Sequence, residues 1–280
     1  MKINKNSLQA RIKNLSSQKG VPSNVILHDY FFDAFLKRLA KSQYIDNFVF
    51  KGGFLLSTTL GIDFRSTMDM DFLLARLTMT KENIEKIFKE IAKINVDDNI
   101  TFEFVDINDI RQEDEYGGFN VSLLGRLENI KVLVSIDIAT GDPITPSPVS
   151  YKYRCLFDNE ILTFTAYNFE TIIAEKLQTI LNRGVTNSRS KDFYDLYIIY
   201  KLRWKDINIS TLKEAFNNTC RYRNTIFSSG HATEIKNQIE NDLSMQKRWE
   251  SFSKKNEFAS DISFSDTISA INIILEVVFN

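Results

Sequence analysis

The spacing of apolar residues along the first part of the chain predicts alternating helices and strands. A period near 3.6 residues predicts helices at about residues 5–19, 24–39, 54–60 and 80–94. A period of two predicts strands at residues 47–50, 69–74, 100–107, 118–125 and 130–140. A small hairpin is predicted from residues 151–157 and 161–164. This order of elements predicts an α/β core.

From Asn168 onward the apolar positions follow a helical period almost without exception. The predicted helices lie at about residues 168–182, 190–203, 209–227, 231–250 and 265–279. The section before them is the richest in turn residues, so we place a domain boundary between residues 145 and 165. We therefore expect an α+β protein, with a sheet-containing core over residues 1–160 and a helical C-terminal domain over residues 161–280.

Composition and charge exclude several classes of protein. With 280 residues, of which 43% are hydrophobic and 25% charged, the chain resembles a soluble globular protein. Its net charge of −1 neither requires nor excludes a nucleic-acid partner. The chain shows no secretory signal and no run of ~18 apolar residues, so we expect a cytoplasmic protein with no membrane partner. Cys155 and Cys220 lie far apart without a Cys/His cluster, so neither a zinc site nor a disulfide framework is expected.

The strongest candidate chemistry begins with the glycine pair Gly52-Gly53, which follows the predicted strand at residues 47–50 and opens a short apolar helix. Backbone amides in such a turn can approach a triphosphate without obstruction by side chains, and a helix N-terminus favours an anion. Asp69 and Asp71 are two residues apart on the next predicted strand, so both carboxylates face the same side.

A third carboxylate, Asp137, lies near the end of the apolar strand predicted at residues 130–140. Burying an unpaired carboxylate is costly, so a charge at that position needs a reason. Nucleotidyl transfer requires neutralised phosphate oxygens and an activated hydroxyl, and two magnesium ions held by carboxylates supply both. Asp69, Asp71 and Asp137 are therefore the predicted metal ligands. Taken singly, a D-x-D pair is also typical of a solvated strand end, and a glycine pair of an ordinary turn.

The chain resembles the nucleotidyltransferases of the AbiEii/AbiGii type in five segments: FVFKGG, RSTMDMDF, SIDIATGD, AEKLQTIL and RSKDFYDLY. These proteins are the toxins of type IV toxin–antitoxin and abortive phage-infection systems. The resemblance extends from the helix near residue 24 to about residue 203. It implies a DNA polymerase β-like nucleotidyltransferase core, which is a mixed sheet with flanking helices, followed by a helical domain. The sequence departs from the commoner superfamily pattern because it has Gly-Gly where many members have Gly-Ser.

The resemblance also implies roles for residues in the helical part. Lys176 matches the lysine of the EKL helix, which would hold triphosphate oxygens. Asp192 and Asp195 match the acidic pair of that family, and we favour Asp192 for a catalytic role. Without the resemblance, Lys176 would be read as a solvated helix lysine and the two acids as residues favoured at a helix N-terminus.

Two cations, Lys51 and Arg65, flank the predicted nucleotide site. They are candidates for contact with phosphate, and the alternative is that they are solvated residues at strand ends. The resemblance implies a magnesium-dependent enzyme that transfers nucleotides from an NTP to an RNA 3′ end, with tRNA as the favoured acceptor. It also implies that a separate antitoxin protein controls the enzyme. Transfer to a protein or a small molecule, a non-catalytic NTP-binding regulator and a metal-dependent nuclease remain alternatives. The assignment of Asp137 or Asp192 as the base also stays open.

Overall fold

The computed structural model describes residues 3–110 and 117–280. Within these ranges the chain forms two compact units. The first contains the residues up to Gly141 together with Val149–Ala166, and the second contains Asp142–Pro148 together with Tyr167–Asn280. Asp142–Pro148 therefore belongs to the second unit although the segments before and after it belong to the first. The predicted division between residues 1–160 and 161–280 stays a prediction.

In its described residues the first unit is a seven-stranded sheet with α-helices. The helices are α1 (Lys5–Lys19), α2 (Ser23–Lys41), α3 (Gly52–Leu60) and α4 (Lys81–Ala92). The strands are β1 (Phe48–Phe50), β2 (Asp69–Leu74), β3 (Thr101–Asp109), β4 (Gly118–Leu127), β5 (Ile130–Ala139), β6 (Val149–Arg154) and β7 (Ile161–Ala166). Every helix and strand predicted for this part of the sequence is present, with ends that differ by a few residues.

The sheet has the strand order β3-β4-β5-β2-β1-β7-β6. β2 lies parallel to β5 and β1 lies parallel to β7, whereas the other neighbouring strands are antiparallel. The sheet is therefore mixed, as the resemblance implies. The parallel pair β2 and β5 is decisive for the candidate site, because it makes neighbours of two strands that are far apart in the sequence.

One face of the sheet is apolar and is packed against helices. α2 packs against β5 and β7, α3 packs against β2, and α4 packs against β3. Phe50 lies at the centre of this core, with its ring centroid 4.8 Å from that of Phe72 and 4.9 Å from that of Phe164. Since side chains alternate along a strand, the other face is left to the polar residues of β2, β4 and β5.

α2 also buries the charged side chains of Arg38 and Asp33, which have partners outside the helix. Arg38 forms a two-pronged ion pair with Asp98, with nitrogen–oxygen distances of 2.7 and 2.9 Å. The carboxylate of Asp33 accepts a hydrogen bond from the hydroxyl of Tyr153 and another, at 2.6 Å, from the N–H of Leu156. These contacts attach α2 to the segment before β3 and to the end of β6.

The described residues of the second unit are mainly helical. The helices are α5 (Phe169–Arg183), α6 (Ser190–Arg203), α7 (Ile209–Tyr222), α8 (Ser229–Asn241), α9 (Leu243–Lys255) and α10 (Phe264–Phe279). Short 3₁₀ turns lie in both units, at Ile45–Asn47, Gly184–Thr186, Trp204–Asp206 and Glu257–Ala259. α5 packs against α6 and α7, while α10 packs against α6, α7 and α8. The expected change from a sheet-containing part to a helical part is confirmed.

The turn-rich segment Asp142–Pro148 is fixed to α5 and α7 of the second unit. The N–H of Thr145 donates to Thr171 Oγ1 at 3.1 Å, and the amide of Asn218 donates to Thr145 Oγ1 at 3.0 Å. Arg223 forms an ion pair with Asp142 at 3.2 Å. A segment with the composition of a linker is thus a packed part of the helical unit.

Two predicted helices in the C-terminal part have the wrong limits. The single helix predicted at residues 231–250 is two helices, because Asp242 adopts an extended conformation and caps α9. Its Oδ1 accepts a hydrogen bond from the N–H of Met245 at 2.9 Å. The helix predicted at residues 209–227 ends at Tyr222. Asp242 therefore ends one helix and caps the next, although the apolar spacing continues through it.

Within the described ranges, every helix is too short or too polar to span a bilayer. Cys155 and Cys220 are both buried free thiols. Burial raises the pKa of the Cys220 thiol above its usual value, so this residue acts as a packing group.

Candidate active site

Asp71 is joined to the glycine turn by backbone and side-chain hydrogen bonds. The N–H of Lys51 donates to the carbonyl of Asp71 at 3.1 Å, which continues the pairing of β1 with β2 into the turn. The N–H of Gly53, at the start of α3, donates to Asp71 Oδ2 at 3.0 Å. The carboxylate is thus held at the N-terminus of α3, where the helix dipole favours a negative charge.

Gly52 permits this close approach. Its φ is +62°, a left-handed conformation that favours glycine. A Cβ placed on Gly52 would lie only 2.3 Å from Asp71 Oδ2. Both the backbone conformation and the position of the carboxylate therefore require a residue without a side chain. The sequence predicted a turn open to a phosphate, and in this structure the turn receives the carboxylate of Asp71.

Asp71 and Asp137 occupy neighbouring positions on β2 and β5. They are partners in the parallel register of the two strands, and Asp69 is the partner of Ser135. Asp71 and Asp137 are half-buried, whereas Asp69 is exposed. The three predicted carboxylates therefore lie on one face of adjacent strands, a juxtaposition that follows from the crossover between β2 and β5.

Asn120 on β4 continues this row. It is the register partner of Asp137, and its Nδ2 donates to Asp137 Oδ1 at 2.6 Å and to Ser135 Oγ at 2.8 Å. Sequence reasoning missed Asn120, although the alternation of the predicted strand places it on the polar face. The pairing of β4 with β5 was needed to recognise it.

The donor set fits magnesium in chemistry, since carboxylate oxygens are the hard ligands that this ion prefers. In the described residues, no group of three or more His, Cys, Asp or Glu side chains is gathered closely enough to hold a metal ion. One oxygen of Asp71 faces the Gly53 N–H and one oxygen of Asp137 faces the Asn120 amide. The metal-ligand role of Asp69, Asp71 and Asp137 therefore stays a prediction.

Arg65 is buried beside the glycine turn, with 6% of its surface exposed. A Cβ placed on Gly53 would lie 2.9 Å from Arg65 Nη2 and 3.6 Å from Thr67 Oγ1. Arg65 also donates to the carbonyl of Ser66. A guanidinium group therefore lies next to the N-terminus of α3, and its contact with phosphate stays a prediction.

His28 of α2 lies close enough to Asp69 to respond to its charge. Burial lowers the pKa of His28, and the negative charge of Asp69 opposes that change. The ring meets the edge of Phe32 with centroids 6.2 Å apart, and among the described residues its Nδ1 has no hydrogen-bond partner. Asp69 of β2, which is distant in sequence, is thus a charged neighbour of His28.

Lys176, Asp192 and Asp195 form a separate cluster in the second unit. Lys176 Nζ on α5 lies 2.8 Å from Asp192 Oδ1 and 2.7 Å from Asp195 Oδ2, both on α6. All three side chains are largely or fully buried. Burial alone would lower the pKa of Lys176, but the two carboxylates raise it above its usual value. The lysine is therefore a charged group held by two acids, and the reading of it as a solvated helix lysine is wrong.

The family model described as "Nucleotidyl transferase AbiEii toxin, Type IV TA system" matches residues 34–270 of the chain. The chain belongs to the AbiEii family. The resemblance drawn from the sequence motifs is thus confirmed, and the protein is a nucleotidyltransferase of the type IV toxin–antitoxin class.

Two crystal structures of Helicobacter pylori proteins share the AbiEii chain's fold. One is provisionally assigned as a nucleotidyltransferase; it is 17% identical, with a TM-score of 0.52 over 92% of this chain and 96% of its own. The other, JHP933, is 16% identical, with a TM-score of 0.52 over 92% of this chain and 93% of its own. At such identities the likeness concerns the fold. No curated protein matches the chain.

The predicted site residues of this AbiEii family member thus fall into two groups. Asp69, Asp71 and Asp137, with the Gly52-Gly53 turn and its flanking cations Lys51 and Arg65, belong to the first unit. Lys176, Asp192 and Asp195 belong to the second. The functional assignment of each residue stays a prediction.

Proposed function

We propose that this AbiEii-family enzyme transfers a nucleotide from an NTP to the 3′ end of an RNA in a magnesium-dependent reaction. Among RNAs, tRNA is the acceptor that we favour. One structural relationship supports this proposal above the others. Asp71 and Asp137 are register partners on neighbouring strands, and Asp71 is bonded to the turn that would receive the triphosphate. The acceptor and the metal are inferred from the family, whereas the carboxylates and the turn are features of this chain.

Asp69, Asp71 and Asp137 would hold the magnesium. When bound, it would neutralise phosphate oxygens and lower the pKa of the attacking hydroxyl. The chain prepares for this by orienting two of the three carboxylates with neutral donors, the Gly53 N–H and the Asn120 amide. Neutral donors fix a carboxylate without cancelling its charge, so its attraction for a cation is retained.

The triphosphate would bind near the N-terminus of α3. Backbone N–H groups at a helix N-terminus favour anions, and Arg65 adds a buried positive charge beside Gly53. Lys51 immediately precedes the same helix and is in an extended conformation. We therefore assign the Gly52-Gly53 turn, Lys51 and Arg65 to the donor nucleotide.

The cluster of Lys176, Asp192 and Asp195 is proposed to hold α5 and α6 together and to keep Lys176 charged. A contact between Lys176 and a triphosphate would compete with two buried carboxylates at 2.8 and 2.7 Å. For that reason the phosphate-binding role of Lys176 is the least supported part of the proposed site. Asp192, which we favour over Asp195 for catalysis, stays an alternative to Asp137 as the base.

The test is incubation of the protein with magnesium, each labelled NTP in turn and total RNA, followed by separation of RNA from protein. We expect label on RNA that has grown in length, and no incorporation by Asp71→Asn. Equal incorporation by the wild type and Asp71→Asn would refute the proposed carboxylate site. Label only on the protein or only on a small molecule would identify that molecule as the acceptor in place of RNA. Shortened RNA would indicate a nuclease.

A regulator without catalysis makes a different prediction. It would bind an NTP in equilibrium dialysis but label none of these acceptors. The toxin assignment is tested in cells, where expression should arrest growth and Asp71→Asn should relieve the arrest. Co-expression of the antitoxin protein that the family implies should relieve it as well.

A further inference from the structure

Asn120 occupies a fixed position beside one of the predicted metal ligands. β4 and β5 pair without a break from Gly118 with Ala139 to Leu127 with Ile130, so the Cα of Asn120 is set by a continuous antiparallel ladder. Asn120 and its partner Asp137 are both half-buried. A residue on such a ladder orients its neighbour more rigidly than a loop residue can.

The chemistry of the contact settles which end of the amide meets Asp137. An ionised carboxylate can only accept hydrogen bonds, so the amide nitrogen of Asn120 must face it. The same nitrogen donates to Ser135 Oγ at 2.8 Å as well as to Asp137 Oδ1 at 2.6 Å. Two acceptors for the two hydrogens of one NH₂ group fix the orientation of the amide.

The contact links two rows of the sheet. One row contains Asn120, Asp137 and Asp71, and the other contains Ser135 and Asp69. By bonding to both Asp137 and Ser135, Asn120 connects the row that carries two predicted ligands to the row that carries the third. The Asn120 amide is neutral, so this contact orients Asp137 without adding a counter-charge.

We propose that Asn120 is a positioning residue of the nucleotidyltransferase site, which orients Asp137 for metal binding through its side-chain amide, with Ser135 as the support of that amide. The inference rests on the proposed function, since it takes Asp137 as a metal ligand. It assigns no contact between Asn120 and the substrate. Partners that orient metal ligands typically contribute a factor of 10–100 to metal affinity or activity.

The experiment measures Mn²⁺ binding to the nucleotide-free protein by electron paramagnetic resonance. The test variant is Asn120→Val, because valine suits a strand and removes the donor. The matched control is Asn108→Val: Asn108 is the register partner of Asn120 on β3, and its side chain donates to Asp106. Asp137→Asn identifies the metal site itself, and the melting temperature of each variant is recorded.

We expect Asn120→Val to weaken Mn²⁺ binding by about tenfold, with kcat reduced and the KM for NTP little changed. Asn108→Val should bind Mn²⁺ as the wild type does. A folded Asn120→Val protein that binds Mn²⁺ like the wild type would overturn the proposal. Should that variant not fold, Ser135→Ala decides, since loss of the amide's second acceptor should weaken Mn²⁺ binding in the same direction and an unchanged affinity would refute it.

Failure of the proposed function has a different signature. If Asp137→Asn binds Mn²⁺ as tightly as the wild type, or the wild type binds none, the carboxylates are not the metal site and the role of Asn120 falls with them. If Asp137→Asn loses binding and Asn120→Val keeps it, the metal site stands and only the positioning role is lost.

Discussion

Gly52 lies directly against Asp71, so closely that a Cβ on Gly52 would be 2.3 Å from Asp71 Oδ2. The φ of +62° at Gly52 adds a second reason for glycine, because that conformation is strained for other residues. The carboxylate and the turn therefore depend on each other. A change at either residue should be felt at the other.

Gly52→Ala should displace the carboxylate of Asp71 and strain the turn. We expect the free energy of unfolding to fall by roughly 1–3 kcal/mol, and nucleotide incorporation to fall even under conditions where the protein is fully folded. Urea unfolding and the labelling assay measure the two effects.

The matched control is Gly53→Ala, one residue later in the same turn. Its Cβ would meet the flexible end of Arg65, 2.9 Å away, and its φ is not in the left-handed region. The effect on stability should be smaller. Equal losses in the two variants would contradict the specific role of Gly52.

Asp137→Asn should reduce incorporation by about 100-fold or more, since stabilisation of transition-state charge by a metal is worth several kcal/mol. The melting temperature should stay close to that of the wild type. Asp46→Asn, an exposed acid of the same unit, serves as the control and should retain activity. Activity of Asp137→Asn near the wild-type level would remove this residue from the site.

Lys176→Met should destabilise the protein strongly. Removal of the ammonium leaves Asp192 and Asp195 buried without their shared cation, and breaking a buried ion pair in this way costs about 3–5 kcal/mol. Urea unfolding measures the loss.

The double variant Lys176→Met/Asp195→Asn should recover part of that stability, because it removes one of the two carboxylates that share the Lys176 ammonium. A Lys176→Met protein that is as stable as the wild type but inactive would instead assign Lys176 a direct chemical role.

The buried acids of α2 should make stability depend on pH. Burial raises the pKa of Asp29 to about 8, with a further contribution from the charge of Asp33. Burial likewise raises the pKa of Asp33 to about 7, although hydrogen bonds from Tyr153 and Leu156 oppose it. Between pH 4 and these values the folded state holds protons that the unfolded state has released, so the free energy of unfolding should fall as the pH rises.

Asp29→Asn mimics the protonated acid and should flatten this dependence. A single group contributes at most about 1.4 kcal/mol per pH unit, which urea titrations at pH 5, 6.5 and 8 can resolve. A wild-type stability that rises over this range, with no change in slope in Asp29→Asn, would show that the acid is ionised in the folded protein.

The sequence by itself determined the elements and the residue types of the site. Alternation along residues 69–74 and 130–140 placed Asp69, Asp71 and Asp137 on strand faces, and the five motif segments led to the correct family. These features are local, because they depend on the spacing of side chains along one helix or strand. The same locality explains the error at Asp242, whose hydrogen bond to Met245 interrupts a helix that apolar spacing alone continues.

Only the tertiary structure decided which residues meet. The register of β2 with β5 made Asp71 the partner of Asp137, and the register of β4 with β5 added Asn120. The packing of the helices placed His28 near Asp69 and paired Lys176 with two acids. Strand order and register are set by the packing of distant segments into one core, which no local pattern encodes. Sequence thus supplied the chemical groups, and long-range pairing brought them together.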